Sequence, residues 1–194
     1  MRAVLTVGRG LSAPASNRLR LIVSGASLLL LTTALAAQTP GRASEPQYPP
    51  SSPEAVAAML KLAAVTKSDV VYDLGSGDGR IPIAAAHTYG ARAVGIEINP
   101  ALVKEAREKA QAESVGDRVR FIQQDVFDAD ISEATVVTMY LLPSINVKLL
   151  PKLNRELKPG TRVVSQSFDL GGPKPKATID VAGRPIYLWV VPIR

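Results

Sequence analysis

Hydrophobic residues fall along this chain in two alternating rhythms, one helical and one of short apolar runs. "SPEAVAAMLKLAAV" opens with a serine cap and a proline, then places apolar residues at helical spacing. "DVVYDL" is a short apolar strand. "RIPIAAAHTYG" predicts a helix ending at Gly90, with Pro82 tolerable only in its first turn. "ARAVGIEI" is a second strand. "NPALVKEAREKAQAESVG" is a long helix, with Asn99 as cap, Pro100 at its first position and Gly116 beyond its end. "RVRFIQQD" alternates with period two as a third strand, and "ATVVTMYLL" is a fourth. "SINVKLLPKLNRELKPG" is helical, broken at Pro151 and stopped at Pro159-Gly160. "TRVVSQSF" is a fifth strand. "ATIDVAG" and "PIYLWVVPI" form a final pair joined at Gly183-Arg184.

Strands that alternate with helices imply parallel crossover units with helices on both faces. The final pair leaves no room for a helix between its strands, so an antiparallel hairpin at the sheet edge fits that length. The pattern therefore predicts an α/β domain over residues 54–194. Its centre is a doubly wound, mostly parallel, seven-stranded sheet with a C-terminal antiparallel hairpin.

The chain ahead of this domain reads differently. Residues 1–37 pass from acid-free, Arg-bearing sequence into "LIVSGASLLLLTTALAA". The small residues at its end resemble a secretory cleavage site, which predicts a signal peptide. An uncleaved membrane anchor is the rival, since the apolar run is near the lower limit for spanning a bilayer. A mitochondrial address has a similar composition. A buried core helix is the bland reading, although no polar face interrupts the run. The expected location is thus membrane-associated or exported. If the segment is an anchor, the arginines before it favour a cytoplasmic N-terminus. Residues 38–53, rich in proline, serine and glycine, read as a linker.

Composition narrows the chemistry. The 194 residues include no cysteine and one histidine. That excludes a disulfide framework, a thiolate zinc site and a cysteine nucleophile, and no metal site is expected. The formal charge is +6, but Arg2, Arg9, Arg18 and Arg20 supply four of those charges, leaving +2 for the rest. So weak a balance gives no reason to expect nucleic-acid binding by the folded body. The "KEAREK" run reads as a solvated helix face. Trp189 and Tyr187 read as packing residues.

The informative stretch is "VVYDLGSGDGR", residues 70–80. In a doubly wound sheet, ligands bind beyond the carboxyl ends of the strands near the switch point. Gly75, Gly77 and Gly79 bare the backbone just there, with Ser76 between them. A phosphate-binding P-loop needs a lysine followed by Ser or Thr, which this loop lacks, and the G-x-G-x-x-G dinucleotide spacing is not met. Asp73 and Asp78 would repel a pyrophosphate and would favour an ammonium or sulfonium group. Roughly twenty residues on, the second strand ends in Glu97 beside Ile98, where a carboxylate accepts from two ribose hydroxyls. The third strand ends in "QQDVF", where Asp125 would accept from an adenine amine with Val126 or Phe127 against the ring. A nucleoside with a positively charged tail is described, and S-adenosylmethionine fits.

Taken in order, "VVYDLGSGDGR", "GIEINP", "QQDVF" and "TMYLLP" resemble the class I S-adenosylmethionine-dependent methyltransferases, over about Ser51 to Arg194. More narrowly, "DLGSGDGRIPIAAA", "ATVVTMYLLP" and "LKPGTRVVS" look like the membrane-associated protein-lysine methyltransferases. That group is related to the mitochondrial enzymes for the ATP synthase c-ring protein and the adenine nucleotide translocase. It carries a hydrophobic segment before a Pro-Tyr-Val-Pro-Ser-like motif, of which Tyr48, Pro50 and Ser51 match here. The resemblance implies a lysine side chain of a protein as acceptor, with Tyr48, Pro50 and Ser51 near it, and membrane association through the N-terminal segment. The Asn/Asp-Pro-Pro-Tyr signature of amino-methyltransferases is absent after strand four, where Tyr140 stands in "MYLLP". Tyr140 would line the amine channel. Rival readings are a small-molecule methyltransferase of the same fold, a cofactor-binding module without catalysis and, weakest, a nicotinamide oxidoreductase.

Overall fold

The computed structural model describes residues 50–194; the hydrophobic segment, most of the linker and Tyr48 lie outside the described residues. The elements run α1 (Pro53–Leu62), β1 (Val70–Leu74), α2 (Arg80–Tyr89), β2 (Arg92–Glu97), α3 (Pro100–Ala112), β3 (Val119–Gln123), β4 (Val136–Met139), α4 (Pro143–Glu156), β5 (Arg162–Gln166), β6 (Ala177–Val181) and β7 (Arg184–Val190). The seven strands form one sheet in the order β3-β2-β1-β4-β5-β7-β6. Every pairing is parallel except those of β7, which runs antiparallel to both β5 and β6.

Successive residues of a strand point to opposite faces, and the apolar runs use both. Val71, Ala93, Val119, Phe121, Val136 and Val164 meet α1, α2 and α3 on one face. Tyr72, Val94, Val137, Val163 and Trp189 meet α4 and the stretch around Ala129 to Ala134 on the other. Fully burying one such aliphatic side chain stabilises the fold by about 1.5–3 kcal/mol. The Trp189 indole donates to the Pro173 carbonyl at 2.9 Å, so its one polar atom is satisfied inside the packing.

Local signals act largely as the sequence implies. Ser52 caps α1 by accepting from the Ala55 amide at 3.3 Å, and Asn99 caps α3 by accepting from Ala101 at 2.9 Å. The β6–β7 connection is a two-residue turn with positive φ at both Ala182 and Gly183, the geometry that matches strand twist. Three expectations are corrected. Pro151 does not break α4, which runs unbroken through it. Pro151 lies on the exposed side of the helix, where solvent is at hand for the carbonyl that the missing N–H leaves open. Helix α3 ends at Ala112, with Ser114 rather than Gly116 in the left-handed conformation. Strand β4 is shorter than its apolar run, because the chain turns away after Met139 to begin α4 at Pro143.

The sheet order reverses between β1 and β4. From β1 the chain steps outward to β2 and β3; from β4 it steps the other way to β5. The loops after Leu74 and Met139 flank that reversal, which is where a doubly wound sheet opens a crevice for ligand.

Candidate active site

The loop after β1 is pinned to β2 by the amides of Gly75 and Ser76, both donating to the Ile96 carbonyl at 2.9 Å. Two of its glycines show why the glycines alternate. Gly79 has φ of +83°, and a Cβ there would meet Phe121 Cζ at 2.5 Å and Ala106 Cβ at 2.8 Å. Only a bare residue lets α2 start this close to β3 and α3. Gly77 also has positive φ, +53°, yet a Cβ there would meet nothing within 4 Å among the described residues. Its backbone faces open space. Gly75 packs under Leu141, tying the loop to the chain that leaves β4. Ser76 contributes backbone rather than hydroxyl: its Oγ is buried without a hydrogen-bond partner among the described residues, packed where a Cβ on Gly95 would come within 2.6 Å.

Three acids surround this loop, each with different partners. Asp73, at 2% exposure, accepts from Thr138 Oγ1 at 2.7 Å. Burial pushes its carboxyl up to about 7; the Thr138 hydrogen bond opposes this, and the nearby Glu97 and Asp78 charges add to it. Glu97 is buried at the end of β2, with Oε2 accepting from the Gly77 amide at 3.0 Å and Oε1 from the Asn99 amide at 2.8 Å. A carboxylate has about four lone-pair sites, so each oxygen retains room for a second donor. Ile98 beside it is 59% exposed.

Asp78 is a correction. Its Oδ1 accepts from Arg80 Nε at 2.9 Å, and its Oδ2 accepts from Arg80 Nη2 and Lys109 Nζ at 2.7 Å each. The Arg80 hydrogen bonds hold its carboxyl far below the usual range, with Lys109 assisting against the cost of burial. Two cations already neutralise this acid, so it supplies no counter-charge for a ligand. The inference of a cationic tail rests on Asp73 alone. Asp125, after β3, accepts from the Phe127 amide at 2.9 Å and so turns the chain. Val126 and Phe127 are partly buried against the core face shared with Ile96 and Leu74.

Across the switch point, Tyr140 leaves β4 with its hydroxyl accepting from Arg184 Nη1 at 3.0 Å. Its ring stacks on Phe168, centroids 6.3 Å apart and planes 23° from parallel. The Phe168 loop is fastened from α4: Asn146 Nδ2 donates to Ser165 Oγ and to the carbonyls of Phe168 and Asp169, at 3.1, 3.1 and 3.2 Å. Pro50 and Ser51 lie on this same side. Ser51 Oγ donates to Gln166 Oε1 at 2.6 Å, and its carbonyl accepts from Arg80 Nη1 at 2.6 Å. A cleft of about 340 Å³ opens there, lined by Pro50, Ser52, Gln166, Ala182, Arg184 and Ile186. Sequence reasoning does not single out Thr138, Arg80, Lys109, Gln166 or Arg184. Thr138 is the strand-pair partner of Asp73, a relation that needs the strand order; Arg80 stands two residues past Asp78 and is open to notice.

Open space over Gly77, a buried acid with spare lone pairs at Glu97, an exposed apolar side chain beside it and a second acid at Asp73 suit an adenosyl group carrying a cationic tail. Fold and site together define a class I S-adenosylmethionine-dependent methyltransferase. The sequence profile of the ANTKMT methyltransferase domain matches residues 73–177. A protein-lysine N-methyltransferase of Saccharolobus islandicus is 46% identical over 149 residues, covering 74% of this chain and 92% of that protein. The adenine nucleotide translocase lysine N-methyltransferase of Mus musculus is 41% identical over 108 residues, covering 55% of this chain and 47% of that one. This chain therefore spans about half the length of the mouse relative. A crystal structure described as an RNA methyltransferase from Salinibacter ruber, in complex with S-adenosyl-L-homocysteine, superposes with a TM-score of 0.73 at 57% identity, covering 74% of this chain and 94% of that one. The chain belongs to the ANTKMT methyltransferase domain family.

Proposed function

We propose that this enzyme is a protein-lysine N-methyltransferase whose substrate is a membrane-associated protein. The observation that carries the lysine reading is the extended relationship to the Saccharolobus islandicus enzyme. The hydrophobic segment at the N-terminus supports the membrane part.

When bound, S-adenosylmethionine supplies a methyl group on an already activated sulfonium, so the protein's task is positioning and water exclusion. Glu97 would hold the ribose hydroxyls, Ile98 the face of the adenine, Asp125 its amine, and Asp73 the cationic end. A lysine reacts only as the neutral amine, because an ammonium has no lone pair. Arg184 bears on that requirement. Its guanidinium sits at the Tyr140 hydroxyl, and a fixed cation lowers the pKa of an amine arriving beside it. The stacked Tyr140 and Phe168 rings wall the approach with apolar surface, which also favours the neutral form.

The relative from Salinibacter ruber is described as acting on RNA, and one experiment separates the readings. The full chain is incubated with isotope-labelled S-adenosylmethionine and with membrane and soluble extracts, each split into protease- and ribonuclease-treated halves. Labelled lysine in membrane proteins, found by mass spectrometry and abolished by protease alone, is expected. Label sensitive only to ribonuclease, or confined to lipid or metabolites, overturns the proposal.

A further inference from the structure

Arg80 makes three hydrogen bonds in two directions. Nε and Nη2 grip Asp78 in the glycine loop at 2.9 and 2.7 Å, while Nη1 reaches the Ser51 carbonyl at 2.6 Å. Lys109 of α3 holds the same Asp78 from the other side at 2.7 Å. Ser51 in turn is buried, with Oγ on Gln166 at the end of β5. Two sides of the switch point are thereby joined by one guanidinium. On one side is the loop with open space over Gly77; on the other are Pro50 and Ser52, which line the cleft with Gln166 and Arg184.

We propose that Arg80 is a positioning residue for the methyl acceptor, setting the strap at Pro50–Ser52 against the donor loop so that the acceptor cleft takes its shape. The inference rests on the protein-lysine reading for its substrate, but not for its physics. A planar fork with fixed donors can satisfy a carboxylate bidentately and keep one N–H for a carbonyl; a lysine ammonium is a single point that cannot span both. Asp78 and Lys109 hold the fork from below, so movement of the glycine loop is transmitted to the strap. The Arg80 side chain does not itself meet donor or acceptor in this scheme.

The test uses the full chain with Arg80→Lys, Gln166→Leu and the double variant. S-adenosyl-L-homocysteine affinity is measured by calorimetry, and amide hydrogen exchange is followed over residues 50–56. In Arg80→Lys the affinity should stay within about threefold, while exchange over 50–56 speeds about tenfold, the loss of one charge-assisted hydrogen bond. Exchange in β4 and α4 should be unchanged. With the acceptor labelled by the wild-type enzyme, KM for acceptor should rise about tenfold and kcat should change by less than about threefold in either direction. The two substitutions should be non-additive in exchange, since both act through the same strap. Unchanged exchange over 50–56, or a loss confined to donor affinity, overturns the proposal. A general rise in exchange across the domain assigns Arg80 a merely structural role and overturns it equally. If the wild type labels no lysine, the functional reading fails while the exchange result still judges Arg80.

Discussion

Replacing Asp73 by Asn should make the donor-free protein more stable relative to wild type as pH rises. Asp73 is buried at the end of β1, and its carboxyl is raised to about 7. In the unfolded chain an Asp titrates near 3.9. The folded protein therefore binds the proton more tightly, and wild-type stability falls as pH rises from about 4 to about 7, then levels off. About three units at 1.36 kcal/mol each give an upper limit of about 4 kcal/mol across that window. Asn removes the titration. It keeps an oxygen for Thr138, but its amide requires a partner that the buried site was not built to supply, a pH-independent cost of about 1–3 kcal/mol. The slope with pH, not the offset, is diagnostic. Urea melts of both proteins at pH 5, 6, 7 and 8 would show the variant gaining on wild type by about 2 kcal/mol or more between pH 5 and pH 7, with little further change to pH 8. A difference independent of pH would refute the reasoning, as it would mean that Asp73 is ionised at no special cost. S-adenosylmethionine should reverse the ranking, since its cationic tail favours the ionised Asp73.

Gly77→Ala should leave the fold close to intact, costing about 1–2 kcal/mol for its left-handed backbone, yet weaken S-adenosyl-L-homocysteine binding at least tenfold by calorimetry, because the added methyl occupies the open space. Gly79→Ala should instead lower thermal stability by several kcal/mol, since its Cβ would strike Phe121 and Ala106. Glu97→Gln should weaken the same ligand about tenfold or more, because one of the two backbone amides now on the carboxylate would face an NH₂ group. Asp69→Asn, at the opposite end of β1, should cost about 3 kcal/mol in urea melts by stranding Arg162. Burial pushes the Asp69 carboxyl up, but Thr135, Thr66 and Arg162 outweigh that and hold it below its ordinary value. The stabilisation from Asp69 is thus present above about pH 4 and lost as pH falls further, opposite in sign to Asp73.

The strand and helix succession is legible because each element carries its own period and its own stop. Asn99, Ser52 and Gly90 act locally, within a few residues, and need no tertiary information. Pro151 misleads for the converse reason: whether a proline breaks a helix depends on which face it occupies, and α4 turns it to solvent. The candidate donor side is readable because its residues stand at strand ends that the alternation marks, so Asp73, Gly77, Glu97 and Asp125 all fall at the carboxyl ends of the neighbouring parallel strands β1, β2 and β3. The acceptor side is far less so. Tyr140, Phe168, Arg184 and Ser51 are brought to one side by β4, β5, the terminal hairpin and the strap, which lie far apart in the chain; Ser51 and its partner Gln166 alone are 115 positions apart. No local period encodes such a meeting.

Asp78 shows how a sound local inference about charge can reach the wrong partner. An acid among glycines does argue against a phosphate, and no phosphate-binding spacing is present. The step from there to a cationic ligand assumes that the carboxylate faces the ligand. In the fold, α3 presents Lys109 and the first residue of α2 presents Arg80, and both close on Asp78 before any ligand arrives. The acid is what allows two cations to stand beside a loop that must receive a positively charged molecule; without it, Arg80 and Lys109 would repel that molecule from a few residues away. Asp78 would then serve donor binding by cancelling its neighbours rather than by contact. Asp78→Asn should therefore weaken S-adenosylmethionine more than S-adenosyl-L-homocysteine, which lacks the sulfonium charge, and added salt should narrow that gap by screening the half-buried cations.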